Sequence, residues 1–252
     1  MARITNAAAY YEPSAAPRPI RGLFDVAEVV NVSDPHLMLG AEYLTNRCTT
    51  AGTWLHHCVG EPSSKTFNGT ELVQGEVFAV YDAIECNDPA LSAEAHADML
   101  RASFDVKAEA AVEAQLQILI NNGTQPVNPI GTLGAVAGIE ELLAANYAGR
   151  GLLHMDRFSS VYAYGQKGIE DPESHAARVQ SINGTPVVLG RGYTHNAGTV
   201  WVGGSGRVIV LRGPLNLTFS PKSGDSAARA LAEQQFVLLV ECDTYWAEIP
   251  LT

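Results

Sequence analysis

A long stretch without proline or glycine places the strongest constraint on what this chain can fold into. The stretch follows Asp88 and Pro89 and runs to Asn122 and Gly123, and alanine is abundant within it. Asp88 is a favourable N-cap, and Pro89 suits the first helical position. At a rise of about 1.5 Å per residue, the sequence predicts a single helix roughly 45–50 Å long. Such a helix is expected to lie across the molecule.

The two sides of this predicted helix differ in character. One side carries Leu100, Phe104, Ala111 and Ile118. The opposite side carries Glu94, Asp98, Arg101, Asp105, Glu109 and Glu113. Carboxylates four residues apart repel each other, at a cost on the order of a few tenths of a kcal/mol per pair in an isolated helix. The pattern therefore predicts an apolar core-facing side and a wet acidic side that meets solvent or a partner.

The segments before the helix predict an arm and a hairpin. Residues 1–35 contain several prolines, and "LFDVAEVVNV" fits either a short strand or a helical turn. Residues 36–87 hold short β-type runs separated by the polar, turn-rich "EPSSKTFNGTE". Two strands joined by such a tip form a projecting hairpin, which has little core of its own and needs a partner to become ordered.

The segments after the helix predict a mixture of helices and strands. The expected elements are a helix at about 133–147, a strand and a helix capped by Ser or Asp in 151–168, a strand, an Asn-Gly turn and a strand in 178–194, a hairpin in 199–213, and strands at 236–241 and 245–249. Gly203, Gly204 and Gly206 are expected at the turn of that hairpin. The predicted fold class is α+β, with one long helix and many antiparallel strands.

Charge and hydropathy exclude several classes of protein. The formal net charge is −11, so the basic footprint of a sequence-specific nucleic-acid binder is missing. The first 22 residues alone carry a net charge of +2, which fits an arm on a neighbouring molecule, an arm on something anionic in a container, or an ordinary polar terminus. No apolar run approaches the ~18 residues of a membrane span, and the start lacks a signal-peptide core. Synthesis in a cytoplasm and no membrane partner are expected.

The glycine-rich stretch from Ser181 to Gly213 has the look of a phosphate cradle. A dinucleotide fingerprint needs a third glycine and a following helix, and the sequence after Gly190 and Gly192 offers neither. The segment "GTLGAVAG" opens a helix but has no lysine, and it places Gly138 inside that helix. Turn glycines explain both stretches, so no cofactor site is predicted.

The cysteines do not form a metal signature. Cys48, Cys58, Cys86 and Cys242 are irregularly spaced. His56 and His57 beside Cys58 make zinc conceivable, but the second half of a zinc motif is missing. The expectation is reduced core thiols, or a Cys48–Cys58 disulfide formed after release from the cell. No metal site is predicted.

The histidines and carboxylates do not form a recognisable catalytic arrangement. His154 and Asp156 fit a helix start better than a dyad, because Asp is a common N-cap. His175 lies in the polar segment "DPESHAAR", and His195 lies in a loop beside Asn196. No GxSxG motif is present. The sequence therefore predicts no catalytic residue and a protein that is not an enzyme.

The order of the parts resembles the major capsid protein of tailed bacteriophages of the HK ninety-seven lineage. "INGTPVVLGRGY" (Ile182–Tyr193) resembles the axial-domain strand pair of that family, and "LAEQQFVLLVECDTYWAEI" (Leu231–Ile249) resembles its final peripheral-domain strands. "GEVFAVYDAIEC" followed by the long helix is similar to an E-loop returning into a spine helix, as in capsid proteins of actinobacterial phages. The resemblance covers nearly the whole chain.

The resemblance implies a division of the chain and a structural role. The implied parts are an N-terminal arm at 1–35, an E-loop with flanking strands at 36–87, a peripheral domain at 88–125 and 226–252, and an axial domain at 126–225. The implied role is a virion capsid protein that self-assembles as pentamers and hexamers into an icosahedral head around double-stranded DNA, which it contacts non-specifically. Small residues such as those of "GGSG" are expected where axial-domain loops meet around the symmetry axes.

The resemblance also implies partners and leaves alternatives open. A portal, a separate scaffolding protein and a decoration protein are the implied partners, the scaffold because no long charged helical segment precedes the arm. Lys65 lies at the expected hairpin tip, where some family members crosslink subunits, although a tip lysine is commonly only solvated. The alternatives are an encapsulin-type nanocompartment shell and, from a different class, a soluble α/β enzyme.

Overall fold

The computed structural model describes residues 21–48, 69–86, 93–127, 129–170, 179–221 and 228–251. The predictions for the arm before residue 21, for the start of the long helix at 88–92, for the hairpin tip with Lys65, for His56, His57 and Cys58, and for His175 lie outside these residues. None of the helices in the described ranges combines the length and the apolarity that crossing a bilayer requires.

The described residues form an α+β fold. The helices are α1 (Leu23–Val26), α2 (Ala93–Asn121), α3 (Gly131–Asn146) and α4 (Arg157–Gly165), with a short 3-10 helix at Pro35–Leu39. The strands are β1 (Glu28–Asn31), β2 (Ala41–Thr45), β3 (Glu71–Gly75), β4 (Val77–Cys86), β5 (Leu152–Asp156), β6 (Ile169–Glu170), β7 (Gln180–Ser181), β8 (Val187–Gly190), β9 (Thr199–Ser205), β10 (Val208–Arg212), β11 (Asn216–Pro221), β12 (Ala228–Val240) and β13 (Tyr245–Pro250).

Strand β12 is the centre of a five-stranded sheet. Its 13 residues pair antiparallel with β4 along one edge, and with β11 and then β10 along the other. Strand β1 joins the sheet by pairing parallel with β10. Because successive side chains of a strand point to opposite faces, Phe236 and Leu238 enter the core that includes α2, whereas Val237 and Leu239 pack under the β2–β3 hairpin.

A second sheet of four strands has the order β13-β9-β5-β8. Helix α3 packs on β9 and β13, and helix α4 packs on β5 and β9. All five residues of β5 are buried. This sheet and its helices share a separate core cluster, which includes Ile139, Leu153 and Val202.

The hairpin expected at 199–213 is wrong, because its two strands belong to different sheets. Strand β9 lies in the four-stranded sheet, and β10 lies in the five-stranded sheet. Gly203 and Gly204 lie within β9 and are buried, so they do not line an exposed loop at a symmetry axis. A Cβ on Gly204 would overlap Ile139, and one on Gly206 would overlap the backbone oxygen of Glu241. These glycines let α3 and the end of β12 approach the strand closely.

The long helix is confirmed over its described part, and its acidic side is exposed at Asp98 and Arg101 as expected, but not at Glu109 and Glu113. The buried apolar residues of α2 are Ala97, Leu100, Phe104, Ala108, Val112, Leu116 and Ile120. Ile118 was expected in the core, yet it is 55% exposed. Glu109 and Glu113 were expected in solvent, yet both are buried. The carboxylates tolerate burial because backbone N–H groups from two other segments hydrogen-bond to them.

Several local predictions hold. Helix α3 spans Gly131–Asn146, and α4 begins at Asp156, whose carboxylate caps it. The segment "LFDVAEVVNV" forms both a helical turn and a strand. The Asn183-Gly184 turn forms with Gly184 at a φ of 85°, although β7 pairs with β6 and β8 pairs with β5. The strand predicted at 236–241 is the end of the longer β12.

Candidate functional site

The glycine loop after β8 is a carboxylate cradle filled by the protein's own Glu113. The backbone N–H groups of Arg191 and Gly192 donate to Oε2 of Glu113 at 2.7 and 2.8 Å. The N–H of Leu23 donates to Oε1 of the same carboxylate at 3.0 Å. A Cβ on Gly192 would overlap the backbone oxygen of Ala110, so only glycine permits this approach. The loop thus has an anion-binding geometry, although the sequence analysis assigned its glycines to turns, and its anion is a glutamate.

Glu109 anchors the same N-terminal segment one helical turn away. Its Oε1 accepts a hydrogen bond from the N–H of Phe24 at 2.8 Å. Gly22 lies against this carboxylate, with no room for a side chain. Burial raises the pKa of Glu113, and hydrogen bonds from Gly192 and Leu23 oppose that rise. The two glutamates therefore hold Leu23 and Phe24 against α2.

Glu241, at the end of β12, is a second buried carboxylate that joins distant segments. It accepts hydrogen bonds from the hydroxyls of Tyr43 at 2.8 Å and Tyr147 at 2.6 Å, and Arg47 lies 3.4 Å away. Burial alone would raise the pKa of Glu241, but hydrogen bonds from Tyr147 and Tyr43 and the charge of Arg47 outweigh it and lower the pKa. The hairpin base, the end of α3 and the five-stranded sheet meet at this one group.

A disulfide lies beside this network. Cys48 bonds to Cys242, with a Cα–Cα distance of 5.2 Å and a sequence separation of 194 residues. This pairing replaces the Cys48–Cys58 bond considered from the sequence. Cys48, Cys242 and Glu71 are close enough to share a metal ion, but the disulfide removes both thiolates. The bond ties the base of the hairpin to the end of β12.

The histidines predicted as structural occupy two different environments. His154 is fully buried between the hydroxyls of Tyr193 at 2.9 Å and Ser205 at 2.8 Å, and burial lowers the pKa of His154 to about 3. Asp156 accepts hydrogen bonds from two N–H groups of the first turn of α4, as a helix cap does. His195 lies 3.3 Å from Asp156. The Ser159 hydroxyl donates to Asp156 rather than to His195, so no serine–histidine pair forms there.

The β2–β3 hairpin has an apolar inner face and an outer face on which a leucine pair lies beside the polar pair Glu42 and Gln74. Tyr43 and Val73 form a cross-strand pair that packs toward β12. Leu44 and Leu72 pair on the outer face, where they are 65% and 46% exposed. An exposed cross-strand leucine pair marks a surface that gains free energy when another molecule covers it.

A second exposed apolar surface lies on the layer of α3 and α4. Val127 and Ile130, in the loop before α3, are 90% and 89% exposed. The exposed large side chains of α3 and α4 are Leu133, Phe158, Val161, Tyr162 and Tyr164. Sequence patterns did not reveal either surface, because an apolar residue in a strand or helix is read by default as core.

Searches of known proteins found likeness in structure alone. No protein-family model matches the sequence, and no curated protein matches it. The capsid of an empty GTA particle matches with a TM-score of 0.63 and 14% identity, over 98% of this chain and 96% of that one. The capsid of Ralstonia phage GP4 matches with a TM-score of 0.56 and 8% identity, over 99% and 96% of the two chains.

An encapsulin matches as well. The SrpI encapsulin of Synechococcus elongatus PCC 7942 has a TM-score of 0.54 and 14% identity, over 94% of this chain and 91% of that one. These likenesses confirm the predicted fold, which is that of phage capsid proteins, for nearly the full length of the chain.

Proposed function

We propose that this chain is the major capsid protein of a tailed bacteriophage, and that copies of it assemble into the icosahedral head around double-stranded DNA. The observation that carries the proposal is the likeness to the capsid of a GTA particle over 98% of this chain and 96% of that one. A match of nearly equal extent in both chains leaves little of either protein outside the shared fold. The role is structural, without catalysis.

The proposed domains follow the two sheets. The five-stranded sheet with α2 is the peripheral domain, and the four-stranded sheet with α3 and α4 is the axial domain. On this assignment β10 and β11 belong to the peripheral domain and β13 belongs to the axial domain. The sequence had placed residues 126–225 in the axial domain and 226–252 in the peripheral domain. The proposed assignment instead moves β10 and β11 to the peripheral domain and β13 to the axial domain.

The proposed contacts between copies use the arm, the hairpin and the exposed apolar faces. Glu109 and Glu113 anchor the arm to α2 at Phe24 and Leu23. The hairpin exposes Leu44 and Leu72. Covering such surfaces on neighbouring copies couples subunit stability to assembly. Pentamers and hexamers, a scaffolding protein, a portal and a decoration protein are the proposed partners, with synthesis in a bacterial cytoplasm.

An encapsulin-type compartment is the second candidate, supported by the likeness to the SrpI encapsulin. The two candidates share the fold and differ in the cargo. Neighbouring genes for a terminase and a portal favour the phage capsid, whereas a neighbouring cargo-enzyme gene favours the compartment.

Negative-stain microscopy of the purified recombinant protein tests the proposal. Closed shells, partial shells or rings of five or six subunits are expected. A variant that lacks residues 1–22 is expected to give soluble capsomers that fail to close, because it loses the basic first part of the arm. A monodisperse monomer or dimer of the full chain, under conditions that support assembly of related capsids, would contradict the proposal.

A further inference from the structure

Arg157 and Arg191 stand apart from the other arginines of this acidic chain. Elsewhere in the described ranges, guanidinium groups have a partner: Arg47 with Glu241, Arg101 with Asp98, Arg150 with the Gly184 carbonyl, Arg207 with Glu28, Arg212 with Asp105, and Arg229 with Glu85. Arg21 also has a partner. Arg157 and Arg191 are exposed, and among the described residues neither guanidinium donates to a carboxylate or a carbonyl.

Both arginines line the same open pocket. The pocket, of about 490 Å³, lies between the start of α4 and the glycine loop after β8. His195 lines it as well, with its ring stacked on Phe158 at 4.6 Å between centroids and 12° between planes. Two arginines and a histidine thus line one concave surface, together with Asp156.

The nearby carboxylates have other partners. Asp156 accepts hydrogen bonds from the N–H groups of Phe158 and Ser159 and lies 3.3 Å from His195. Glu113 accepts hydrogen bonds from the N–H groups of Arg191 and Gly192 in the glycine loop and from the N–H of Leu23. Burial raises the pKa of Glu113, and the charge of Arg191 opposes a part of that rise. The Arg191 guanidinium remains available to a ligand in the pocket.

We propose that this pocket binds a phosphate group of nucleic acid. Two guanidinium groups present forked N–H donors that match phosphate oxygens. The ring of Phe158, 41% exposed beside His195, supplies an apolar wall that suits the sugar of the same nucleotide. A carboxylate has two oxygens at one carbon and would engage a single guanidinium fork, whereas the pocket offers two.

The inference rests on the proposed shell function for its biological setting, because the enclosed DNA supplies the phosphates. Apart from the first 22 residues, which carry a net charge of +2, the remainder of the chain is acidic and repels a polyanion. A discrete cationic pocket would therefore give the body of each subunit one point of contact with packaged DNA. Weak binding with a strong dependence on salt is expected.

Fluorescence anisotropy with a labelled 20-base-pair duplex tests the pocket at several salt concentrations. The variant Arg157→Gln/Arg191→Gln is expected to raise Kd about tenfold at low salt and to reduce the slope of log Kd against log salt by about 2. The matched control is Arg101→Gln/Arg229→Gln, which removes two charges from exposed ion pairs on α2 and β12 and should leave both quantities unchanged. An equal loss in both variants, or none in the pocket variant, would overturn the inference.

Two further experiments distinguish DNA binding from other roles of the pocket. Inorganic phosphate at submillimolar concentration should not displace the duplex, and displacement would assign the pocket to the free ion instead. Microscopy of the pocket variant should show normal particles, whereas loss of particles would assign the arginines to a contact between copies. Wild-type protein that binds DNA through these arginines but forms no shells would uphold the pocket and refute the proposed shell function.

Discussion

The N–H of Gly192 donates to the carboxylate of Glu113 at 2.8 Å, which joins the glycine loop of one sheet to the long helix that covers the other. The same carboxylate accepts the N–H of Leu23, so three segments far apart in sequence meet at two oxygen atoms. A buried carboxylate with three N–H donors is stable because the donors replace its hydration.

Replacement of Glu113 is expected to destabilise the subunit. In Glu113→Gln the side-chain NH2 faces backbone donors, so at least one donor loses its acceptor, and we expect a loss of about 2–4 kcal/mol in the free energy of unfolding. Urea denaturation followed by circular dichroism measures the loss. Glu141→Gln, at an exposed position of α3, is the matched control and should change stability by less than about 0.5 kcal/mol. Equal stability of the two variants would show that the cradle contributes nothing.

Gly192→Ala tests the closeness of the same contact. A Cβ there would overlap the backbone oxygen of Ala110, which cannot move without bending α2. We expect a loss of about 3 kcal/mol or more, comparable to overpacking in a core. Gly165→Ala at the end of α4, where an added Cβ meets nothing within 4 Å, should be close to neutral. A thermal melt of both variants decides the matter, and a neutral Gly192→Ala would mean that the helix and the loop can separate.

The accuracy of the sequence predictions depended on how local the deciding forces are. The end of α2 and the Asp156 cap were predictable, because proline, glycine and capping residues act within a few positions. The side of α2 that faces the core was not predictable. Glu113 is buried and Ile118 is exposed, the reverse of the expectation, and the burial of Glu113 depends on N–H donors supplied by Leu23 and the glycine loop. Those donors are 78 or more residues away in sequence.

The errors around β9 and the cysteines have the same origin. Apolar runs on both sides of Gly203–Gly206 look alike whether they form a hairpin or enter two sheets, because alternation reports burial and not the pairing partner. Cys242 lies 194 residues from Cys48, and sequence spacing favours nearer pairs. Two sequence features are consistent with the cradle. Glycines 190 and 192 resemble part of an anion-binding loop, and the long helix carries glutamates without nearby cationic partners.

Acid is expected to destabilise the subunit partly through His154. Its folded pKa of about 3 lies below the unfolded value of 6.5, so between these values the unfolded chain binds a proton that the folded chain excludes. Stability should fall as pH drops below about 6.5, by up to about 1.4 kcal/mol per pH unit from this group. The pKa of Glu241 is lowered, so this group adds a further loss of stability as the pH falls below the usual pKa of a glutamate. The pKa of Glu113 is raised, so Glu113 adds no such loss.

The measurement is the free energy of unfolding at pH 7.0, 6.0 and 5.0. His154→Gln should flatten the decline between the first and last values, because glutamine does not titrate. His36→Gln, which removes an exposed imidazole 2.8 Å from Asp34, is the comparison variant and should leave the decline caused by His154 in place. An unchanged slope in His154→Gln would assign the acid sensitivity to other groups.

The disulfide is expected to stabilise the oxidised subunit strongly. A crosslink that closes a loop of this length restricts the unfolded chain, so Cys48→Ser should lower the free energy of unfolding by about 3–5 kcal/mol. Reductant should have the same effect on the wild type and none on the variant. Cys86→Ser is the control and should retain the response to reductant. Peptide mapping without reduction should recover Cys48 bonded to Cys242, and recovery of a Cys48–Cys58 peptide would contradict the structure.

Leu44→Asp separates assembly from folding. The side chain is 65% exposed in the subunit, so a carboxylate there stays hydrated and should change subunit stability by less than about 1 kcal/mol. If the outer face of the β2–β3 hairpin is covered by a neighbouring copy, the same carboxylate becomes buried without a partner, which costs several kcal/mol per contact. Because each shell repeats the contact many times, microscopy and sedimentation should show capsomers or free subunits instead of shells. Leu44→Met keeps the position apolar and should assemble normally, whereas normal shells from Leu44→Asp would mean that this face of the hairpin remains in solvent in the assembled particle.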